Sequence, residues 1–251
     1  MNNNLKERLK KETLFGSFVP FASGDVTDYT SRLGFDYIII DNEHGIMNQE
    51  TIFSMIRAAQ CQRTPAIVRC TNSTPDMIHK VLDMGAEGIL VPVINTAKDA
   101  REVLRTALYP PKGERGIAYF TRASSYGMIE DKTEFLKKAN EEVFISIQLE
   151  TGAAIENLDE ILDVEGIDMF FIGPNDLAAS LGLPNPHPEM TRIIKETIHK
   201  ITAKGKTAGI FVTNDEDAKK YIEWGVKFVL TSITQYMTKG VKEYLKKAKN
   251  S

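Results

Sequence analysis

The chain holds only two cysteines, Cys61 and Cys70, and they form no CxxC pair. A disulfide-built scaffold is thereby excluded, and a zinc site made of thiolates lacks its ligands. There is no excess of base either: 31 basic residues stand against 34 acidic ones, for a formal net charge of −3. No Lys/Arg run is dense enough to follow a polyanion, so no nucleic-acid partner is expected. The lysines between Lys239 and Lys249 are interleaved with Val241, Tyr244 and Leu245, the spacing of an amphipathic helix with one wet face. Also missing is any apolar run near the roughly 20 residues that span a bilayer. Met1 to Lys11 lacks the apolar centre of a signal peptide. A cytoplasmic protein with no membrane partner is the expectation.

What is present is ordinary globular composition, 42% hydrophobic and 26% charged over 251 residues, and a strict alternation of patterns. Short β-rich runs occur at Phe15–Phe21, Tyr37–Asp41, Ala66–Arg69, Gly88–Val93, Val143–Glu150, Met169–Ile172, Thr207–Val212 and Phe228–Thr231. Several are continuously apolar, as strands buried on both faces are. Helical spacing fills the gaps at Asp25–Leu33, Asn48–Gln60, Thr74–Met84, Asn95–Ala107, Ala153–Leu162, Glu189–Lys204, Asp215–Trp224 and Gln235–Lys249. Gly34, Gly85, Gly166, Gly205 and Gly225 stand between a helix and the next strand, at the C′ position. Eight β–α pairs predict an α/β fold, a (β/α)8 TIM barrel of one domain over residues 1–251. The rival, an open doubly wound sheet, is disfavoured by the count of eight and by the lack of a GxGxxG turn after the first strand. An N-terminal helix precedes the barrel. A long excursion spans 109–142, too long for a plain connection, and such loops serve as lids, binding loops or subunit contacts.

In such a barrel the reacting groups project from the C-terminal ends of the strands, and here polar residues gather at those ends. The second strand ends Asp41-Asn42-Glu43-His44, the third at Arg69, the fifth Gln148-Leu149-Glu150, and the sixth runs into Gly173-Pro174-Asn175-Asp176. Each has a bland reading: Asp176 as the cap of a helix starting at Leu177, Glu150 and Arg69 as a structural ion pair, His44 as a satisfied polar group. Their coincidence on four strand ends favours function, because buried charge without a role or full pairing is costly. Glu150 and Asp176 are hard oxygen donors from adjacent strands, suited to Mg²⁺ or Mn²⁺ completed by water and substrate oxygens. With one histidine at hand, a His-rich zinc site is poorly supported. A 2-oxo acid at that metal has its keto oxygen polarised toward an enolate. Arg69 adds fixed positive charge, and His44 is the proton-transfer group, with an acid such as Asp83 raising its basicity.

Schiff-base chemistry is disfavoured, since no lysine ends a strand: Lys206 and Lys227 precede strands, and Lys80, Lys98 and Lys195 fall in helical segments. The loops after the last two strands, Thr213-Asn214-Asp215 and Ser232-Ile233-Thr234, carry no glycine-rich phosphate cradle.

Taken together, Asp41-Asn42-Glu43-His44, the Arg69 strand end, Tyr109-Pro110-Pro111-Lys112-Gly113-Glu114-Arg115-Gly116, Gln148-Leu149-Glu150-Thr151, Val164-Glu165-Gly166-Ile167-Asp168 and Phe171-Ile172-Gly173-Pro174-Asn175-Asp176-Leu177 resemble the metal-dependent (class II) pyruvate aldolase family, over nearly the whole chain and in the same order. Members include 4-hydroxy-2-oxoheptanedioate aldolase and 2-dehydro-3-deoxyglucarate aldolase. The resemblance implies a phosphoenolpyruvate/pyruvate-type barrel that cleaves 4-hydroxy-2-oxo acids to pyruvate and an aldehyde with one divalent metal ion (Mg²⁺, Mn²⁺ or Co²⁺). It implies that Glu150 and Asp176 bind the metal and that Gln148 and the backbone of Gly173, Pro174, Asn175 and Asp176 hold pyruvate. Arg69 is then the enolate stabiliser and His44 the acid–base group, supported by Asp41 and Asp83. A homo-oligomer, a hexamer with the C-terminal helix in subunit contacts, is implied as well. The family usually has Ala at the position of Asn175, Gly at Asn42, and small residues near Thr231-Ser232. Two other readings stay open: an acyl-coenzyme A lyase of related metal chemistry, and a catalytically idle barrel that binds a 2-oxo acid.

Overall fold

The computed structural model describes residues 4–249. All eight expected strands form: β1 (Leu14–Val19), β2 (Tyr37–Asp41), β3 (Ala66–Arg69), β4 (Gly88–Val91), β5 (Phe144–Leu149), β6 (Met169–Ile172), β7 (Ala208–Phe211) and β8 (Phe228–Ser232). Each lies parallel to the next, and β8 pairs with β1 to close the barrel, Gly16 opposite Leu230. β4 stops two residues short of the expected end. Pro92 has no N–H for the ladder, and Val93 swings to a positive φ of 56°.

The helices are α1 (Leu5–Leu9), α2 (Gly24–Ser31), α3 (Gln49–Cys61), α4 (Pro75–Asp83), α5 (Ala97–Ala107), α6 (Lys132–Glu142), α7 (Gly152–Glu156), α8 (Leu158–Leu162), α9 (Pro174–Ser180), α10 (Pro188–Ala203), α11 (Asp215–Glu223) and α12 (Ile233–Lys249). The single helix expected over 153–162 is two short ones, broken at Asn157, whose side-chain amide donates to the Asn95 carbonyl at 2.9 Å. α9 opens at Pro174, three residues earlier than expected, with Gly173 as its N-cap. The 109–142 excursion is part ordered structure: a 3₁₀ segment at Arg122–Gly127 and then α6. α12 departs from the expected pattern too. Ile233 is its buried residue, while Tyr236, Met237, Val241, Tyr244 and Leu245 all stay exposed. Among the described residues no helix is long and apolar enough to cross a membrane.

Two apolar clusters build the fold. One fills the space between strands and helices; the other, inside the barrel, stacks Leu14, Tyr37, Ile39, Ile67, Leu90, Phe144, Met169, Phe171, Phe228 and Leu230. Tyr37 explains the glycine beside it. A Cβ at Gly16 would lie 2.1 Å from the tyrosine ring, which stacks on Phe228 at 3.9 Å and donates its hydroxyl to the Val229 carbonyl at 2.7 Å.

The lower end is shut by α1. Leu5 and Leu9 enter the inner cluster, Lys6 pairs with Asp168 at 3.1 Å, and Arg8 pairs with Asp36. Both carboxylates, together with Glu87, also hold the starts of the strands. Asp36, Glu87 and Asp168, each just before an even-numbered strand, accept the backbone N–H of Phe15, Ala66 and Ile145 at 2.8, 2.9 and 2.8 Å. The opposite end, where the strands finish, is left for chemistry.

Candidate active site

At that upper end β2 and β3 place Asp41 and Arg69 side by side, in register and facing inward. Arg69 donates from Nε to Asp41 Oδ1 at 3.0 Å and from Nη2 to Asp41 Oδ2 at 2.8 Å. Its Nη1 lies 3.0 Å from Glu43 Oε2, an ion pair bent off the N–H axis, so that oxygen accepts no hydrogen bond. The guanidinium also sits over the Phe18 ring at 4.3 Å, a cation–π contact. Gripped on three sides, Arg69 has one orientation, and its five N–H groups are not used up by these contacts.

β5 supplies Gln148 and Glu150, which alternation puts on one face. Both are buried. Glu150 Oε1 accepts the Val93 backbone N–H at 2.7 Å, and Oε2 accepts from Gln148 Nε2. Gln148 Oε1 is buried and has no donor. β6 gives way to Gly173, where a Cβ would fall 3.0 Å from Gln148 Nε2 and 3.1 Å from Glu150. The glycine therefore leaves the space in front of those two side chains open. Asp176 follows in the first turn of α9, on the exposed side. Its expected alternative role as a cap is not realised, since Gly173 holds the cap position.

The charges interact. Burial raises the Glu150 carboxyl above its ordinary range; the Val93 amide lowers it, and Glu43 and Asp176 push it up again. Burial likewise raises Glu43, opposed by Arg69 and His44 and helped by Asp41 and Asp176. Three carboxylates thus repel one another at one mouth.

A family model described as HpcH/HpaI aldolase/citrate lyase matches residues 14–237. The chain belongs to the HpcH/HpaI aldolase/citrate lyase family. It is therefore a lyase of the aldolase kind. It is 37% identical to 2-keto-3-deoxy-L-rhamnonate aldolase of Escherichia coli K12, over 93% of this chain and 88% of that protein. Among solved structures it is similar to an HpcH/HpaI aldolase/citrate lyase family protein from Burkholderia cenocepacia J2315, with a TM-score of 0.92 and 28% identity over 99% of this chain and 100% of that one. It is similar also to citrate synthase SbnG, with a TM-score of 0.89 and 27% identity over 99% and 98%.

Within this HpcH/HpaI barrel the expected residues divide. Asp41, Arg69, Gln148, Glu150, Gly173 and Asp176 come together. Asp41 is an anchor more than an acid: besides Arg69, its Oδ1 accepts the backbone N–H groups of Glu43 and His44 at 3.3 and 3.2 Å, which shapes the turn. His44 stands at the rim, 66% exposed in its side chain, its Nε2 4.0 Å from Glu43 Oε2. Asp83 does not join it. α4 runs back from the mouth, so Asp83 at its C-terminal end lies low on the barrel, accepting from Arg115 Nη2 at 2.6 Å. Arg115 is itself buried and stacked on Tyr109 at 4.4 Å. The expected His44–Asp83 pairing is not formed within the chain.

The three departures from the usual family residues all turn away from Glu150 and Arg69. Asn42 points its Nδ2 at Met77 Sδ, 3.6 Å off. Asn175 Oδ1 accepts from Asn185 at 2.8 Å, out on the surface. Thr231 is on the outer side of β8, its Oγ1 3.4 Å from Gln235 Oε1. None narrows the pocket. Phe18, Glu43 and Val93, by contrast, shape the mouth and were given no role from sequence.

The donor set fits a hard divalent cation. Glu150 and Asp176 are carboxylates, the Glu150 charge is left undercompensated by burial and repulsion, and Gln148 Oε1 is an orphaned acceptor beside them. Among the described residues no three His, Cys, Asp or Glu side chains gather closely enough to hold a metal ion by themselves, so water or substrate oxygens would have to complete the shell.

Proposed function

We propose that the chain is a metal-dependent pyruvate aldolase cleaving 4-hydroxy-2-oxo acids, the 2-keto-3-deoxy sugar acids among them, to pyruvate and an aldehyde. The observation that carries this is the clamped Arg69 sharing one mouth with the carboxylates of Glu43, Glu150 and Asp176, over a floor opened by Gly173.

In cleavage a proton leaves the 4-hydroxyl, the C3–C4 bond breaks, and its electron pair moves toward C2. C4 becomes the aldehyde carbonyl, and a proton returns to C3 to give pyruvate. Glu150 and Asp176 would hold a divalent cation (Mg²⁺, Mn²⁺ or Co²⁺), which would supply Lewis-acid stabilisation of the charge developing toward C2. Arg69 adds a preoriented cation to that charge, with no reorganisation at the moment of reaction. His44, exposed at the rim, carries protons between substrate and solvent. Gln148 orients the keto acid. The amides of Asn175 and Asp176, in the first turn of α9, have no helical acceptor and receive its carboxylate.

The test is exchange of pyruvate methyl protons with deuterium, followed by NMR with Mg²⁺, Mn²⁺ or Co²⁺ and then with chelator, and with Glu150→Gln as control. Metal-dependent exchange lost in the variant supports the reading. No exchange with any metal in folded protein removes it.

We also propose that the barrel acts as a single domain within a homo-oligomer, a hexamer by resemblance. Exposed apolar side chains on α12, and Ile117, Phe120 and Met128 in the excursion, are the surfaces that such an assembly would cover. Sedimentation at micromolar concentration giving only 28.1 kDa would set this aside.

A further inference from the structure

The turn Tyr109-Pro110-Pro111-Lys112-Gly113-Glu114-Arg115-Gly116 takes no part in the proposed reaction, yet it is tightly built. Asn140 of α6 grips Tyr109 twice: its Oδ1 accepts the Tyr109 N–H at 2.7 Å, and its Nδ2 donates to the Tyr109 carbonyl at 2.9 Å. The Arg115 N–H returns to the Leu108 carbonyl at 2.9 Å. Gly113 lets the turn close, since a Cβ there would fall 2.3 Å from the Leu108 carbonyl oxygen and 2.7 Å from that of Arg105. The product is a buried guanidinium laid on the Tyr109 ring at 4.4 Å.

That guanidinium is not fully used. Among the described residues five buried side-chain polar atoms have no hydrogen-bond partner. Glu43 Oε2 and Gln148 Oε1 belong to the mouth, and Gln60 Oε1 and Thr106 Oγ1 are neutral. The fifth is Arg115 Nε, a donor on a full charge. Asp83 engages Nη2 at 2.6 Å and leaves Nε without an acceptor. A buried donor in that state calls for an explanation, and Arg115 lines an opening that can supply one. A cavity of about 490 Å³ is walled by Arg115, Leu82, Tyr109, Phe135, Val143 and Phe144, a volume within the range of small-molecule sites. It lies at the lower end of the barrel, away from the mouth: Phe144 opens β5, and Leu82 is in the last turn of α4. Lys138 stands on the same cavity with its side chain 64% exposed, 3.7 Å from Glu142. The acid on the inner wall, Glu87, already accepts from the Ala66 N–H at 2.9 Å and from Gln60 Nε2 at 2.6 Å. Burial raises its carboxyl, so it repels an incoming anion less than a free carboxylate would.

We infer that this cavity is a second ligand site, taking a small carboxylate with an apolar body. The carboxylate meets Arg115 Nε and Lys138, and the body packs on Tyr109, Phe135 and Phe144. Guanidinium N–H groups are matched to carboxylate oxygens, and an apolar lining with a few placed polar groups is the usual make-up of such sites. The inference does not rest on the aldolase reading, since it concerns the other end of the barrel and binding without turnover.

The probe is benzoate, titrated into the metal-loaded protein by calorimetry and by saturation-transfer NMR, with and without pyruvate. Benzoate is expected to bind saturably and to be undiminished by pyruvate. Benzyl alcohol, which keeps the body and loses the charge, is expected to bind about tenfold more weakly, the size of one lost hydrogen bond to a charged group. Sulfate, which keeps charge and loses the body, is expected to bind more weakly than benzoate as well. Ala139→Leu fills the cavity from α6 with a residue that suits a helix. It is expected to abolish benzoate binding while the protein keeps its sedimentation rate and a cooperative melt. Arg115→Lys keeps the charge without Nε and is expected to weaken binding about tenfold; should that variant fail to fold, Ala139→Leu decides. No saturable binding of benzoate overturns the inference. So does displacement by pyruvate, which places the probe in the mouth, and so does undiminished binding in folded Ala139→Leu. Benzyl alcohol or sulfate binding as well as benzoate would overturn the stated ligand class.

Discussion

Arg69 and Asp41 are joined by two hydrogen bonds of 3.0 and 2.8 Å, and both side chains are buried. Removing one partner of a buried pair costs about 3–5 kcal/mol where the other charge is left alone, and Glu43 at 3.0 Å keeps Arg69 at the lower end of that range. Asp41→Asn is accordingly expected to lower unfolding free energy in urea by that order. Arg69→Lys keeps the charge but cannot span both carboxylate oxygens. Its pyruvate exchange is expected to fall about 100-fold, the size of losing one preorganised donor, with metal affinity by calorimetry retained. Equal losses of both would point to a collapsed site.

Glu150 gives a pH signature. Burial raises its carboxyl, so the folded protein binds the proton more tightly than the unfolded one. The associated stability is fully present below the ordinary glutamate range, about 4.3, and is lost as pH rises through the raised value. In chelator, Glu150→Gln is therefore expected to melt above wild type at neutral pH, with the gap closing on acidification. The new amide keeps an oxygen for the Val93 N–H, and with the Gln148 amide turned over its Oε1 accepts from the new NH2 in place of the present Nε2–Oε2 bond. Added Mg²⁺ should raise the wild-type midpoint and leave the variant unmoved. Parallel pH profiles for the two proteins would count against an undercompensated charge.

Gly173 tests the floor. Alanine there would bring a Cβ to 3.0–3.1 Å from Gln148 and Glu150, tighter than side chains normally tolerate. Gly173→Ala is expected to fold, as judged by circular dichroism, but to bind metal and pyruvate more weakly in calorimetry. Wild-type binding would mean that Gln148 and Glu150 yield easily.

Much of this architecture is legible in the sequence because parallel strands buried on both faces read as unbroken apolar runs. Ile38-Ile39-Ile40 and Phe170-Phe171-Ile172 locate β2 and β6, and the polar residues that stop those runs locate the mouth. Other features have no such signal. Asp83 sits in a helical pattern that shows periodicity but not which end of the barrel a residue reaches, and α4 carries it to the lower end. Val93 is a strong strand former, so nothing in its identity announces a left-handed backbone. Glu43 is one acid in a run of four polar residues, and only the Asp41-centred turn selects it to face Arg69. Asp176 reads as a cap for a helix starting at Leu177, yet α9 opens at Pro174, where proline is suited to the first helical position.

The N-terminal helix α1 is a structural element of the barrel. Leu9 is buried in the inner cluster beneath the barrel. Leu9→Ala is expected to destabilise by about 2–5 kcal/mol in urea while leaving pyruvate exchange intact at low temperature. A change below 0.5 kcal/mol, typical of surface sites, would show that α1 is a loose attachment.

That same helix, with the layers of side chains above it, makes the barrel a blind chamber. From Leu5 and Leu9 up to Leu90 the interior is packed, so everything enters and leaves by one door. In the proposed reaction pyruvate occupies the floor and the aldehyde the threshold. Traffic is then last in, first out: condensation has to load pyruvate before aldehyde, and cleavage has to discharge aldehyde before pyruvate.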